Sequence, residues 1–145
     1  MVDLDGTLLL TDMLHESSLQ LVRDAPWKAA MLPLWLAAGK AALKRRIAGQ
    51  VDIAVAHLPY NTPLVAWLRE QRAAGRRIVL CTASDQALAG AIAAHLGCFD
   101  AVMASDGTTN LAGPAKAAAL VRTFGERGFD YAGNSRADLP VWQAA

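Results

Sequence analysis

Asp3 and Asp5 stand two residues apart in Val2-Asp3-Leu4-Asp5-Gly6-Thr7, where a short apolar stretch runs into Gly-Thr. In an extended strand residues i and i+2 share a face, so both carboxylates can address one substrate. Asp-Gly after a short apolar run is also an ordinary turn signal, and that reading stands beside the chemical one. A calcium loop is excluded, because the stretch lacks a third ligand pair, a glycine at the sixth position and a glutamate at the twelfth. For the pair to act on a phosphate ester, the charge of the phosphate must be offset by a cation and hydrogen-bond donors, since carboxylate and phosphate repel. Mg²⁺ prefers oxygen ligands, and acids at two strand ends could hold it beside the transferring group.

Three further pieces join the pair in chain order: Thr82 at a strand end, Lys116 near a helix start, and Gly133-Asn134-Ser135-Arg136-Ala137-Asp138 after the last strand. Taken singly, each has a plainer reading. Thr82 is a common type for a strand end, Lys116 reads as a surface helix lysine and Arg136 as a solvated loop residue. His15, His57 and His95 show no metal-ligand spacing. Cys81 and Cys98 form no CxxC pair and read as small core hydrophobes, which fits a reducing compartment.

The elements that must position these groups are legible in the pattern. Met1 to Asp5 reads as the end of a strand. Only two residues precede Asp3, whereas a strand buried in a parallel sheet usually has about five, so part of the first strand is expected upstream. Thr11 to about Gly49 reads as two or three helices, with Asp12 as N-cap, and its basic group Lys40, Lys44, Arg45 and Arg46 reads as a solvated helix face, with contact to an anionic substrate or a membrane surface as the alternative. A helix follows with Thr62 as N-cap, Pro63 at its first position and Gly75 as terminator. Arg77–Thr82 reads as a strand covered on both faces. Ser84 or Asp85 caps a helix that stops at Gly97, Asp100–Ala104 is a strand, Ala115–Phe124 a helix ended by Gly125, and Phe129–Ala132 a last strand. Strands alternating with helices predict an α/β fold, a doubly wound parallel sheet that binds ligands at the carboxyl ends of its strands.

The first segment resembles the DxDGT motif of the haloacid dehalogenase superfamily, and Thr82, Lys116 and the Gly133–Asp138 stretch fall in that family's order across the whole chain. The resemblance implies a Rossmann-like core formed by residues 1–13 and 60–145, with residues 14–59 as a helical cap that chooses the substrate. It implies a phosphohydrolase of small phosphorylated metabolites. Asp3 would be the nucleophile forming an aspartyl-phosphate, Asp5 the acid and base, Thr82 and Ala83 phosphate-binding, and Lys116 the cation neutralising phosphate and Asp3. Mg²⁺ would be held by Asp3, Asp5, Asn134 and Asp138. The fourth motif departs from the family's pattern: Asn134 stands where an acid is usual, which removes one negative charge from the metal site. That departure leaves open a catalytically weak regulatory or binding domain as the alternative function.

Several phrases, among them Leu14-His15-Glu16, Leu32-Pro33-Leu34-Trp35, Ala83-Ser84-Asp85 and Tyr131 to Trp142, are similar to haloacid-dehalogenase-like domains fused upstream of UbiA-type membrane prenyltransferases. That similarity implies a soluble, cytoplasmic front part of a larger membrane protein, with the membrane as partner only through a fused C-terminal domain. The totals agree with a soluble domain. The 145 residues are 54% hydrophobic with a net charge of +1, which argues against disorder and gives no sign of a nucleic-acid partner. The most apolar stretch, residues 29–39, is far shorter than the roughly 20 residues that span a bilayer, and no signal peptide is read at the start.

Overall fold

The structure, a computed structural model, describes residues 1–50 and 52–145. In chain order its elements are helices α1 (Met13–Asp24), α2 (Pro26–Ala29), α3 (Leu32–Ala37), α4 (Lys40–Ala48) and α5 (Thr62–Ala73), strand β1 (Val79–Asp85), α6 (Gln86–Leu96), β2 (Ala101–Ser105), α7 (Gly113–Phe124) and α8 (Leu139–Ala144).

Parallel pairing organises the centre. β1 and β2 run parallel, with Val79 opposite Ala101 and Cys81 opposite Met103. Val2 bridges Leu80 on one side and Ala132 on the other, both parallel, so the spatial order is Ala132, Val2, β1, β2. Hydrogen bonds from Val2 N to Val79 O, Cys81 N to Val2 O and Asp3 N to Ala132 O place the Asp3 segment between two neighbours. The predicted last strand is present as the bridge at Ala132 rather than as a full strand.

Strand alternation divides the core between the two faces. Val2, Leu4 and Leu80 pack with Val65 and Leu68 of α5 and Ile92 and Leu96 of α6. Cys81 lies on the other face with Leu120 of α7, Phe129 and Val141 of α8. Helices on both faces make the sheet doubly wound, as the sequence predicts. A third apolar cluster, Leu21, Ala25, Trp35, Leu43 and Ile47, belongs to α1–α4. This helical segment is entered and left at one place: Leu10 N bonds Pro59 O at 2.9 Å, Asn61 N bonds Leu8 O at 2.8 Å, and Leu9 bridges Tyr60.

Local rules set most boundaries. Asp12 caps α1 by accepting from Leu14 N and His15 N, Asp85 caps α6 by accepting from Ala87 N, and Gly97 ends α6 in the left-handed region. The cap of α5 is Asn61, one residue before the predicted Thr62, because the Asn61 side chain is the one that accepts from Leu64 N. β1 begins two residues later than predicted and continues to Asp85, with an irregularity between Cys81 and Asp85. Among the described residues no helix is long and apolar enough to cross a membrane.

Candidate active site

The carboxyl ends of the central strands open into a cavity of about 480 Å³ lined by Asp3, Asp5, Asp12, Lys44, Ala83, Lys116, Asn134 and Asp138 among others. A larger cavity of about 710 Å³ lies around Met1, Arg77 and Phe129, away from the paired acids. The acid cavity gathers all but one of the residues singled out in the sequence. The exception is Thr82, which is completely buried, does not line the cavity and accepts a hydrogen bond from Ser84 N at 3.0 Å.

Asp3 sits at the end of the segment paired with Ala132 and β1, and Lys116 reaches it from the first turns of α7. Lys116 is 3% exposed, and its ammonium donates to Asp3 Oδ1 at 2.7 Å and to Tyr131 Oη at 2.9 Å. It also lies 3.5 Å from Asp138 Oδ1. The plainer reading of Lys116 taken singly, a surface helix lysine, gives way to a buried ion pair with Asp3. Burial pushes the Asp3 carboxyl up to about 6, even though the Lys116 charge and hydrogen bond pull it down.

Asp5 is held differently. Its Oδ1 accepts from Met13 N at 2.7 Å and its Oδ2 from Ser84 Oγ at 2.8 Å. Asp5 and Asp12 thus share the exposed amides at the start of α1, where the helix dipole favours negative charge. Burial nevertheless raises the Asp5 carboxyl above the usual range, outweighing the Met13 and Ser84 bonds. The two carboxylates of the motif consequently carry different partners, one a cation and one a pair of neutral donors.

Asp138 is committed to protein donors. Oδ2 accepts from Asn134 N, Ser135 N and Ser135 Oγ at 3.1–3.2 Å, and Oδ1 accepts from Tyr131 Oη at 2.7 Å. It is the third residue of a capping box on Ser135. Burial alone would raise its pKa, but the Tyr131 and Ser135 bonds and Lys116 hold it below the usual carboxylate range. Gly133 permits this closure, since a Cβ there would lie 2.8 Å from Asp138 Oδ2 and 2.6 Å from the Tyr131 ring.

Asn134 packs on the acid loop itself. A Cβ on Gly6 would lie 2.0 Å from Asn134 Nδ2, and Gly6 has φ +73°, so only glycine gives the turn and the space together. Asp3, Asp5 and Asn134 line the cavity with this turn, and their oxygens suit a hard cation that also keeps waters and binds phosphate oxygens. Asp138, read in the sequence as a further metal ligand, lines the same cavity but has both oxygens engaged by protein donors. Among the described residues no group of three His, Cys, Asp or Glu side chains forms a ready metal cluster.

Tyr131 and Ser84 were given no site role in the sequence, and Lys44 was named only within a basic group. Tyr131 ties Lys116 to Asp138, and Ser84 fixes Asp5. Lys44, read as part of a solvated face, is half-buried and donates to Ala83 O at 2.6 Å. Arg45 beside it reaches Asp85 Oδ2 at 3.5 Å. A helical signal for Lys44 did exist: it stands three residues from both Ala41 and Ile47, which are buried, and so borders the packed stripe.

The chain is 41% identical over 144 residues to uncharacterized protein y4nM of Sinorhizobium fredii, a match that takes in 99% of this chain and 28% of that protein. The chain therefore spans little more than a quarter of that relative's length. A crystal structure of a protein with unknown function from Bordetella pertussis Tohama I superposes with a TM-score of 0.69 over 97% of this chain and 83% of that one, at 20% identity, which speaks for the fold. The haloacid dehalogenase-like hydrolase model matches residues 1–143, so the acid pair, the buried lysine and the Asn134–Asp138 loop all lie within the matched region, and the chain belongs to that hydrolase family.

Proposed function

We propose that the chain is a Mg²⁺-dependent phosphohydrolase of small phosphorylated metabolites that works through an aspartyl-phosphate on Asp3. The observation that carries this reading is the buried Lys116 ammonium 2.7 Å from Asp3 Oδ1, in a cavity whose wall also holds Asp5. A buried lysine fixed on one carboxylate oxygen orients the other for attack and offsets the charge of an incoming phosphate.

In the first step an Asp3 oxygen forms a bond to phosphorus while the bond to the leaving oxygen breaks, and Asp5 gives that oxygen its proton. The raised Asp5 pKa favours the protonated acid this step needs. In the second step Asp5 takes a proton from water as that water attacks phosphorus, releasing phosphate and restoring Asp3. Ala83 on the cavity wall, with buried Thr82 behind it, would frame the phosphate site. Oxygens of Asp3, Asn134 and the Asp5 main chain would hold Mg²⁺, with Asp138 bracing Asn134. The ion would supply charge compensation for the transferring phosphoryl group.

Residues 14–59 are proposed as a cap over the 1–13 and 60–145 core. Supporting this are the hydrogen-bonded junction at residues 8–10 and 59–61, where the segment is entered and left, and the separate apolar cluster of α1–α4. The longer relative supports a further proposal, that the domain is part of a larger protein; the sequence resemblance makes the cytoplasmic front part of a UbiA-type prenyltransferase the candidate. The second functional reading, a weak regulatory or binding domain, rests on neutral Asn134 in place of an acid.

A panel of small phosphate esters assayed with and without Mg²⁺ separates the two. Turnover in the natural chain that vanishes in Asp3→Asn supports the hydrolase. Turnover that survives Asp3→Asn refutes the nucleophile, and activity appearing only in Asn134→Asp favours the binding domain.

A further inference from the structure

Lys44 comes into the acid cavity from α4, far in sequence from every other cation there. Its ammonium donates to Ala83 O at 2.6 Å and reaches Asn110 Oδ1 at 3.4 Å, both neutral oxygens. Among the described residues no carboxylate lies within ion-pair distance of it. Burial pushes its pKa down, and the acids that counter this most are Asp5 first and then Asp12. A half-buried ammonium without a carboxylate partner is costly to keep unless something anionic completes it.

Its position assigns a side. Lys116 is bonded to Asp3 and so serves the phosphorus end of the reaction. Lys44 holds the Ala83 carbonyl, and the next residue, Ser84, donates to Asp5 Oδ2 at 2.8 Å, so Lys44 enters the cavity by Asp5, the group that would protonate the leaving oxygen. The cavity thus carries a second cation, held by neutral oxygens rather than by a carboxylate.

We propose, resting on the phosphohydrolase reading, that Lys44 is a specificity-determining residue that binds a second anionic group on the leaving-group side, so that the preferred substrates are phosphate esters with a further carboxylate or phosphate. The rest of α4 suits this role. Arg45 anchors to buried Asp85, while Leu43 and Ile47 seat the helix in the α1–α4 cluster, so Lys44 is presented by a fixed element.

The test compares 3-phosphoglycerate with glycerol 3-phosphate, which differ by one carboxylate, in the natural chain, Lys44→Gln and Lys44→Arg. Glutamine keeps a donor for Ala83 O while removing the charge, so it separates recognition from helix docking. A fructose bisphosphate and fructose 6-phosphate pair tells a second phosphate from a carboxylate. The natural chain is expected to favour the doubly anionic member of at least one pair by about tenfold or more in kcat/KM, the scale of one charge-assisted hydrogen bond. In Lys44→Gln the ratio falls towards one through KM, and Lys44→Arg restores part of it. A natural-chain ratio of one or below in both pairs, or a ratio that Lys44→Gln leaves intact, overturns the proposal. Calorimetric titration of the same esters separates the two levels of the argument. Lys44-dependent binding of the doubly anionic ester without turnover keeps the anion site and sinks the hydrolase, whereas equal binding by the natural chain and Lys44→Gln sinks the anion site.

Discussion

Replacing Lys116 by methionine removes the buried cation and keeps most of the apolar stem. The ammonium stands 2.7 Å from Asp3 Oδ1 and 3.5 Å from Asp138 Oδ1, with its side chain only 4% exposed, so Asp3 is left buried without a counter-charge. Breaking one partner out of such a pair costs about 3–5 kcal/mol. The loss should also depend on pH, in a direction fixed by Asp3. Its carboxyl lies at about 6 in the fold against an ordinary 3.8, which at about 1.4 kcal/mol per pH unit is a penalty of about 3 kcal/mol. The folded state therefore binds this proton more tightly than the unfolded chain. The penalty is complete above the folded value and is relieved as pH falls towards 3.8. Lys116 is the foremost influence opposing burial, so without it the folded value rises above 6 and relief starts at higher pH. The variant's deficit relative to the natural chain is thus greatest at pH 8, shrinks by up to about 1.4 kcal/mol per unit until pH is near 6, and is flat below, where both chains are relieved together. Asp138 is held below the usual range and titrates beneath this window. Urea unfolding of both chains at pH 8, 7 and 6 measures the deficit directly. An equal deficit at all three pH values would show that Asp3 is not the group Lys116 compensates.

In the metal-free chain Asp3 should titrate at about 6 by carbon NMR of its carboxyl and move down when Mg²⁺ is added, because a bound cation favours the carboxylate; a value that Mg²⁺ leaves unchanged would remove Asp3 from the metal site. Gly6→Ala places a Cβ 2.0 Å from Asn134 Nδ2 at a φ of +73°, so it should displace Asn134. Thermal melts should show a loss of about 1–2 kcal/mol from the strained turn, with Mg²⁺-stimulated turnover falling further than stability explains. Tyr131→Phe deletes the bond to Asp138 Oδ1 and the second partner of Lys116. It should destabilise by about 1–2 kcal/mol in urea titrations and raise the Asp138 pKa, measurable by carbon NMR of the carboxyl; an unchanged Asp138 titration would remove Tyr131 from the network.

Much of the scaffold was legible because its boundaries obey local rules. Asp12, Asp85, Gly97 and Gly125 end elements where their own side chains or backbone angles require it. Asn61 was overlooked for Thr62 because both are good caps, and only the geometry shows which oxygen meets Leu64 N. β1 was placed too early because Ala83-Ser84-Asp85 carries no apolar signal, yet it continues the strand through an irregular register. That irregularity matters to the site, since Lys44 and Ser105 both converge on the Ala83 carbonyl. Asp3 and Asp5 could be paired in advance because their two-residue spacing sets them on one face of a strand, whereas Asn134 and Asp138 were named through the family resemblance. Ser84 and Lys44 could be placed by neither route, because their partners stand 79 and 39 residues away and no local pattern encodes the meeting.

The departure at Asn134 takes its meaning from the whole charge balance of the cavity. Of the acids on its wall, Asp138 spends both oxygens on Tyr131, Asn134 and Ser135, and Asp5 spends both on Met13 and Ser84. Asp3 shares one oxygen with Lys116. A cation at the Gly6 turn would therefore meet one charged ligand and two neutral carbonyls, a set that holds Mg²⁺ weakly until phosphate oxygens join it. Lys44 acts in the same direction, adding a positive charge that repels a free cation and attracts an anion. On the proposed function, metal and substrate then bind together rather than in sequence. Mg²⁺ affinity measured with a phosphate ester present should exceed that of the free chain, and by reciprocity the ester should bind more tightly with Mg²⁺ by the same factor.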